Sequence, residues 1–144
     1  MAVASLAHPF FKAYLFLVFF GRADVTEAAL RLGGRPEARP VGGPVRATAV
    51  WSDPFADPPE VWLSAGIDDG TMLGEVVAAE EAAAAQEGRP PCLCIALTHR
   101  DGKLGRMLSA RFKSHRWAPL HLDATSEKVA EEWVVLEGVE YTVS

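Results

Sequence analysis

Reactive and metal-binding chemistry is what this sequence has least of. It holds two cysteines, Cys92 and Cys94. They stand two apart on a stretch that reads as a strand, which puts both side chains on one face in poor geometry for a mutual disulfide. They read as small apolar strand residues in a reducing compartment, with a cytoplasmic location expected. C-x-C followed by the lone His99 lacks the paired spacing of a structural zinc site, so no metal is expected. The glycine pairs Gly33-Gly34 and Gly42-Gly43 follow neither the dinucleotide fingerprint nor the P-loop spacing. Ser64, in WLSAG, lacks the flanking glycine of a nucleophile elbow. None of these patterns calls for a cofactor, and the sequence leans away from an enzyme.

Long apolar runs are missing too. Ala13 to Phe20 (AYLFLVFF) lies between Lys12 and Arg22 and is less than half of the roughly 20 residues a membrane-spanning helix needs. It has neither the basic n-region nor the small-residue cleavage site of a signal peptide. Its aromatic and β-branched content predicts a strand buried on both faces, the central strand of a sheet covered by helices, and no membrane association.

A basic excess is absent overall and present locally. The 144 residues carry a net charge of −5, with 49% hydrophobic and 23% charged residues, the balance of one globular domain spanning 1–144. That charge excludes a surface given over wholly to nucleic acid. Between His99 and Trp117, however, Arg100, Lys103, Arg106, Arg111, Lys113 and Arg116 stand against Asp101 alone, a local charge of +5. The remaining residues hold 8 of the 14 basic and 18 of the 19 acidic side chains, or −10. Polarity of this kind marks a binding face.

The pass along the chain predicts alternating elements. After the first strand, Gly21 makes a break, and Asp24 with Glu27 resembles a capping box for a helix through Leu32, stopped by Gly33-Gly34. Arg35 to Pro44 is an extended loop. A strand over Val45 to Trp51 pairs as a hairpin with Val61 to Ala65 across the turn marked by Asp53-Pro54 and Asp57-Pro58-Pro59. Asp68, Asp69 and Gly70 open the longest helix, Thr71 to Gln86, with Met72, Val76, Ala79 and Ala83 as its packing stripe and Glu75, Glu80, Glu81 and Glu87 on other faces. Gly88 to Pro91 end it.

Cys92 to His99 and Arg106 to Trp117 then form a hairpin about Asp101-Gly102. In its second arm Leu108, Ala110 and Phe112 alternate with Ser109, Arg111 and Lys113, which predicts an exposed stripe of Arg111, Lys113 and His115. Leu120 and Leu122 continue the inward alternation. Asp123 caps a helix whose stripe is Val129, Trp133 and Leu136, ended by Gly138, and Val139 to Val143 closes the sheet. The fold class is α+β, a mixed or mainly antiparallel sheet with about three helices packed on it.

Three segments carry a family resemblance: a first strand leading to a short helix that ends in ALRLGG, a tryptophan-bearing strand RATAVW, and the C-terminal run APLHLDATSEKVAEEWVVLEGVEYTVS. In this pattern the chain resembles a family of small bacterial α+β domains of unknown function, some of which are immunity proteins beside polymorphic toxins. The resemblance implies a non-catalytic protein-binding module and assigns no functional residue.

Function therefore rests on the basic face. The reading is a binding module, either immunity-type or a subunit of a larger assembly, that contacts an acidic protein partner through Arg100, Lys103, Arg106, Arg111, Lys113, His115, Arg116 and Trp117, with Trp117 as a rim anchor. Contact with a nucleic-acid backbone through the same hairpin is one alternative. The other is a small enzyme with a site assembled around His115, His121 and Asp123, where His121 and Asp123 project to one side of an extended segment as an acid/base pair.

Overall fold

In the computed structural model, which describes residues 10–33, 45, 47, 49–53, 57 and 59–143, the chain is α+β and dominated by sheet. In chain order the elements are β1 Phe16–Phe20, α1 Ala23–Gly33, β2 Ala49–Asp53, β3 Glu60–Gly66, α2 Leu73–Glu87, β4 Cys92–Thr98, β5 Leu104–Arg111, β6 Ser114–Trp117, β7 Glu131–Glu137 and β8 Glu140–Val143. They make two four-stranded antiparallel sheets, ordered β1-β4-β5-β8 and β2-β3-β7-β6. The predicted loop Arg35 to Pro44 lies outside the described residues, as do Gly34, Pro54 and Pro58.

One core joins the sheets. Val18, Leu93, Ala110 and Phe112 from the first meet Val61, Leu63, Val134 and Leu136 from the second, with Leu73 and Val77 of α2 in the same cluster. On the far side of the first sheet, Leu30 of α1 packs with Phe19, Cys92, Cys94, Ala96 and Met107. Covering on both faces explains the near-continuous apolar run of β4, CLCIALT.

The first strand needs a correction. Among the described residues β1 ends the order of its sheet, with β4 on one side and a single bridge from Val45 to Val18 on the other. Val18 and Phe19 are nonetheless both buried, on opposite faces. An apolar run reports cover above and below a strand, which an edge position can also have. Val45 thus belongs to this bridge, and β2 is Ala49–Asp53.

The predicted arm Arg106 to Trp117 is two strands in two sheets. The pairing of β5 with β8 and of β6 with β7 keeps one register from Leu108 opposite Val143 to Trp117 opposite Val134. The four strands are therefore one long ribbon bent from sheet to sheet at Phe112-Lys113 and Gly138. Gly138 has φ 66°, in the left-handed region, and a Cβ there would lie 2.9 Å from the Lys113 side chain, so glycine fits the bend. In the first sheet the ribbon turns Ala110 and Phe112 to the core, and in the second it turns Val134 and Leu136, the partners of Trp117 and His115. The core-facing side of the ribbon switches at the bend, so Arg111, Lys113 and His115 do not form one exposed stripe.

Two helices are present among the described residues, and the third predicted one is absent. The Asp123 carboxylate accepts the backbone N–H of Thr125 at 3.0 Å and its hydroxyl at 2.8 Å, closing a local turn in an irregular segment. Val129, Trp133 and Leu136 mimic helical spacing, yet Trp133 and Leu136 lie on opposite faces of β7. Leu120 and Leu122 are exposed instead of inward.

In α1, Asp24 sits inside the first turn instead of at the cap position and pairs with Arg22 at 2.7 Å, while Glu27 pairs with Arg31 at 3.0 Å. In α2 the buried stripe is Leu73, Val77, Glu80 and Ala84, one residue on from the predicted one. Glu80 is buried because Arg89 meets it at 2.7 Å and the Cys92 N–H donates to it at 3.0 Å. Opposite charge and hydrogen bonds offset the desolvation of both ions.

Candidate protein-interaction surfaces

The bend in the ribbon separates the basic residues of its first arm. Arg111 pairs with Glu140 at 3.0 Å on an exposed edge of the first sheet. Arg116 points outward from the second sheet, 3.3 Å from Glu60 and 3.5 Å from Glu137. His115 turns toward α2, its Nδ1 2.8 Å from Glu81. Lys113 lays its aliphatic stem against Gly138.

Arg100, Lys103 and Arg106 remain exposed around the β4–β5 turn and make no ion pair among the described residues. Gly102 has φ 84°, and the Asp101 carboxylate accepts the Lys103 N–H at 2.9 Å, so Asp101-Gly102 turns the hairpin as expected. Phe11 stacks on this turn, its ring centroid 5.2 Å from that of His99, and occupies the space a side chain at Gly105 would need. The turn is thus a supported basic tip.

Trp117 joins β6 to α2. Its indole N–H donates to Glu132 Oε2 at 3.1 Å, and its ring lies against Gly74. Glu132, buried on β7, also accepts the N–H groups of Leu73 and Gly74 at the start of α2. A carboxylate is well placed among unpaired amides at a helix N-terminus. About half of Trp117 stays exposed.

The outward face of the second sheet holds the largest aromatic cluster among the described residues. Trp51 and Trp62 are opposite each other in the β2–β3 hairpin, with ring centroids 6.1 Å apart, and Trp133 of β7 stands 6.3 Å from Trp62. The Arg116 guanidinium covers Trp62 at 5.5 Å. Between the three rings lies a shallow depression of about 370 Å³. Trp133 also borders an open groove of about 990 Å³ lined by His121, Leu122, Asp123, Lys128, Val129 and Glu131.

His121 and Asp123 both line the groove. His115 faces inward on the other side of the sheet, so the three do not assemble into one site. Cys92 and Cys94 are free and buried. The Cys94 thiol is held above its ordinary range by its hydrogen bond with Cys92 and by burial, which keeps it protonated and unreactive. No group of His, Cys, Asp or Glu suited to holding a metal ion occurs among the described residues. No described helix is long and apolar enough to cross a membrane.

Sequence reasoning missed the tryptophan cluster and the Glu132 anchor. Trp51 opposite Trp62 was legible in principle from hairpin register. Trp133 and Glu132 were hidden because helical spacing concealed the period of two in β7.

No protein-family model and no curated protein matches the chain. Solved structures do. The chain is similar to a chain in the tube-terminating cap of the anti-feeding prophage, with 16% identity, a TM-score of 0.58, and coverage of 100% of this chain and 99% of that one. It is also similar to a chain in the sheath/tube terminator of an extracellular contractile injection system in its extended state, with 15% identity, a TM-score of 0.58, and coverage of 95% and 97%. A chain in the sheath-tube complex of such a system matches with 13% identity, a TM-score of 0.53, and coverage of 100% and 99%. At these identities the likeness establishes a shared fold.

Proposed function

We propose that this chain is a non-catalytic subunit of a protein assembly, and that its place is to terminate the tube of a contractile, injection-type particle. The observation that carries this reading is the end-to-end correspondence with chains of two terminator structures, nearly complete in both directions. The chain's own chemistry supports it: the tryptophans and the basic tip lie on open surfaces, and His115 stands apart from the groove that His121 and Asp123 line. In this reading the basic tip of Arg100, Lys103 and Arg106 meets an acidic patch on a neighbouring subunit, where surface charge speeds association and fixes orientation.

A cap that ends polymerisation acts at substoichiometric amounts. The test is to add the purified chain to the tube protein of its own system while tubes assemble, and to measure lengths by electron microscopy. The expected result is shorter tubes with rising amounts of chain, and a weaker effect from the Lys103→Glu/Arg106→Glu variant. Unchanged lengths would contradict the reading. A chain that instead plugs a toxin, as the immunity resemblance implies, would leave tube length alone and form a stoichiometric complex with that toxin.

A further inference from the structure

We propose that the outward face of the second sheet docks an extended apolar segment of another protein, flanked by lysine or arginine. The inference goes beyond the terminator reading and rests on this face alone. α1 covers the outer side of the first sheet and α2 packs on the inner side of the second, whereas no described element covers Trp51, Trp62 and Trp133. Trp51 is 54%, Leu122 67% and Val129 71% exposed, and Trp133 borders both the depression between the rings and the groove. Contiguous apolar surface of this kind, rimmed by polar residues, marks interaction sites.

Two details specify the occupant. The first is the Trp62 indole N–H, which is buried with no acceptor among the described residues. An unmet buried donor is costly, and a partner whose docking shifts the indole enough to offer it an acceptor relieves that cost. Extended backbone carries free carbonyl groups along its length, whereas those of a helix interior are already bonded to their own chain. The geometry thus favours an extended segment. The second is the charge of the rim: Glu60, Glu137, Asp123 and Glu131 stand against Arg116 and Lys128, and Glu60 and Glu137 already hold Arg116. The excess is negative, so the complementary partner is positive.

The test is fluorescence anisotropy of two labelled synthetic peptides of about twelve residues, one alternating leucine with lysine and the other leucine with glutamate. The lysine peptide is expected to bind about tenfold more tightly than the glutamate peptide at low salt, with the difference shrinking as salt rises. Trp51→Ala, at an exposed edge position, is expected to weaken binding about fivefold or more by removing an aromatic anchor. Trp62→Phe keeps a ring and removes the N–H, and is expected to weaken it about threefold. Glu131→Lys is expected to flatten the salt dependence. Retained circular dichroism and melting temperature separate these losses from unfolding. Equal binding of both peptides, binding by neither, or affinity indifferent to Trp51→Ala would overturn the proposal. So would self-association of the chain that Trp51→Ala abolishes, because a second copy would then be the occupant.

Discussion

The Glu132 carboxylate on β7 and the Trp117 indole on β6 meet at 3.1 Å, and the same carboxylate holds the first amides of α2. One buried side chain therefore sets the edge of the second sheet and the start of the longest helix in a single arrangement. Glu132→Ala leaves three donors without this acceptor. It is expected to cost about 2–4 kcal/mol, since an unmet buried donor carries its full desolvation penalty. Urea denaturation measures this, and a midpoint near that of the wild type would contradict the role.

The approach of Trp117 to Gly74 predicts a reversal of sign. Alanine ordinarily stabilises a helix relative to glycine, by about 1 kcal/mol in its interior and by less in the first turn, where Gly74 stands. At Gly74 the new Cβ would fall 2.2 Å from the indole ring. Gly74→Ala is thus expected to destabilise by about 1–3 kcal/mol, as overpacking does. In a Trp117→Ala background the same change should stabilise. Additive effects in the double-mutant cycle would show that ring and helix do not touch.

The turn at Asp123 predicts a titration. The Thr125 N–H and hydroxyl favour the charged carboxylate and lower its pKa from the ordinary 3.8. With the folded value lowered, the turn's contribution is complete above 3.8 and is lost as pH falls through the folded value. The Thr125 amide resonance should therefore titrate with a midpoint below 3.8 and lose that transition in Asp123→Asn. A wild-type midpoint at or above the ordinary value would contradict the hydrogen bonds.

These features differ in how far the sequence exposes them. The β4–β5 hairpin was legible because Asp101-Gly102 carries its own turn chemistry, and α1 because glycine marks its end. The phase of α2 was not, since Val76 and Val77 support adjacent stripes, the alanine tract favours neither, and a glutamate sits in the buried one. Glu80 is understood only with Arg89 beside it. Trp133 and Leu136 suggested a helix because spacings of three and four also arise when both faces of a strand are apolar. The basic stripe failed for a different reason: alternation predicts a face only while the strand stays in one sheet, and the ribbon bends at Lys113 opposite Gly138, a relationship between segments distant in sequence.

The central claim, that the chain caps a tube, is tested most directly by locating it on assembled particles. With an epitope tag on the chain in its native host, gold-labelled antibody should mark purified particles at one end. Lys103→Glu/Arg106→Glu should reduce that label while changing stability by no more than about 0.5 kcal/mol, as expected of exposed positions. Gold distributed along the whole length, or particles without any label from a host that makes the tagged chain, would contradict the claim.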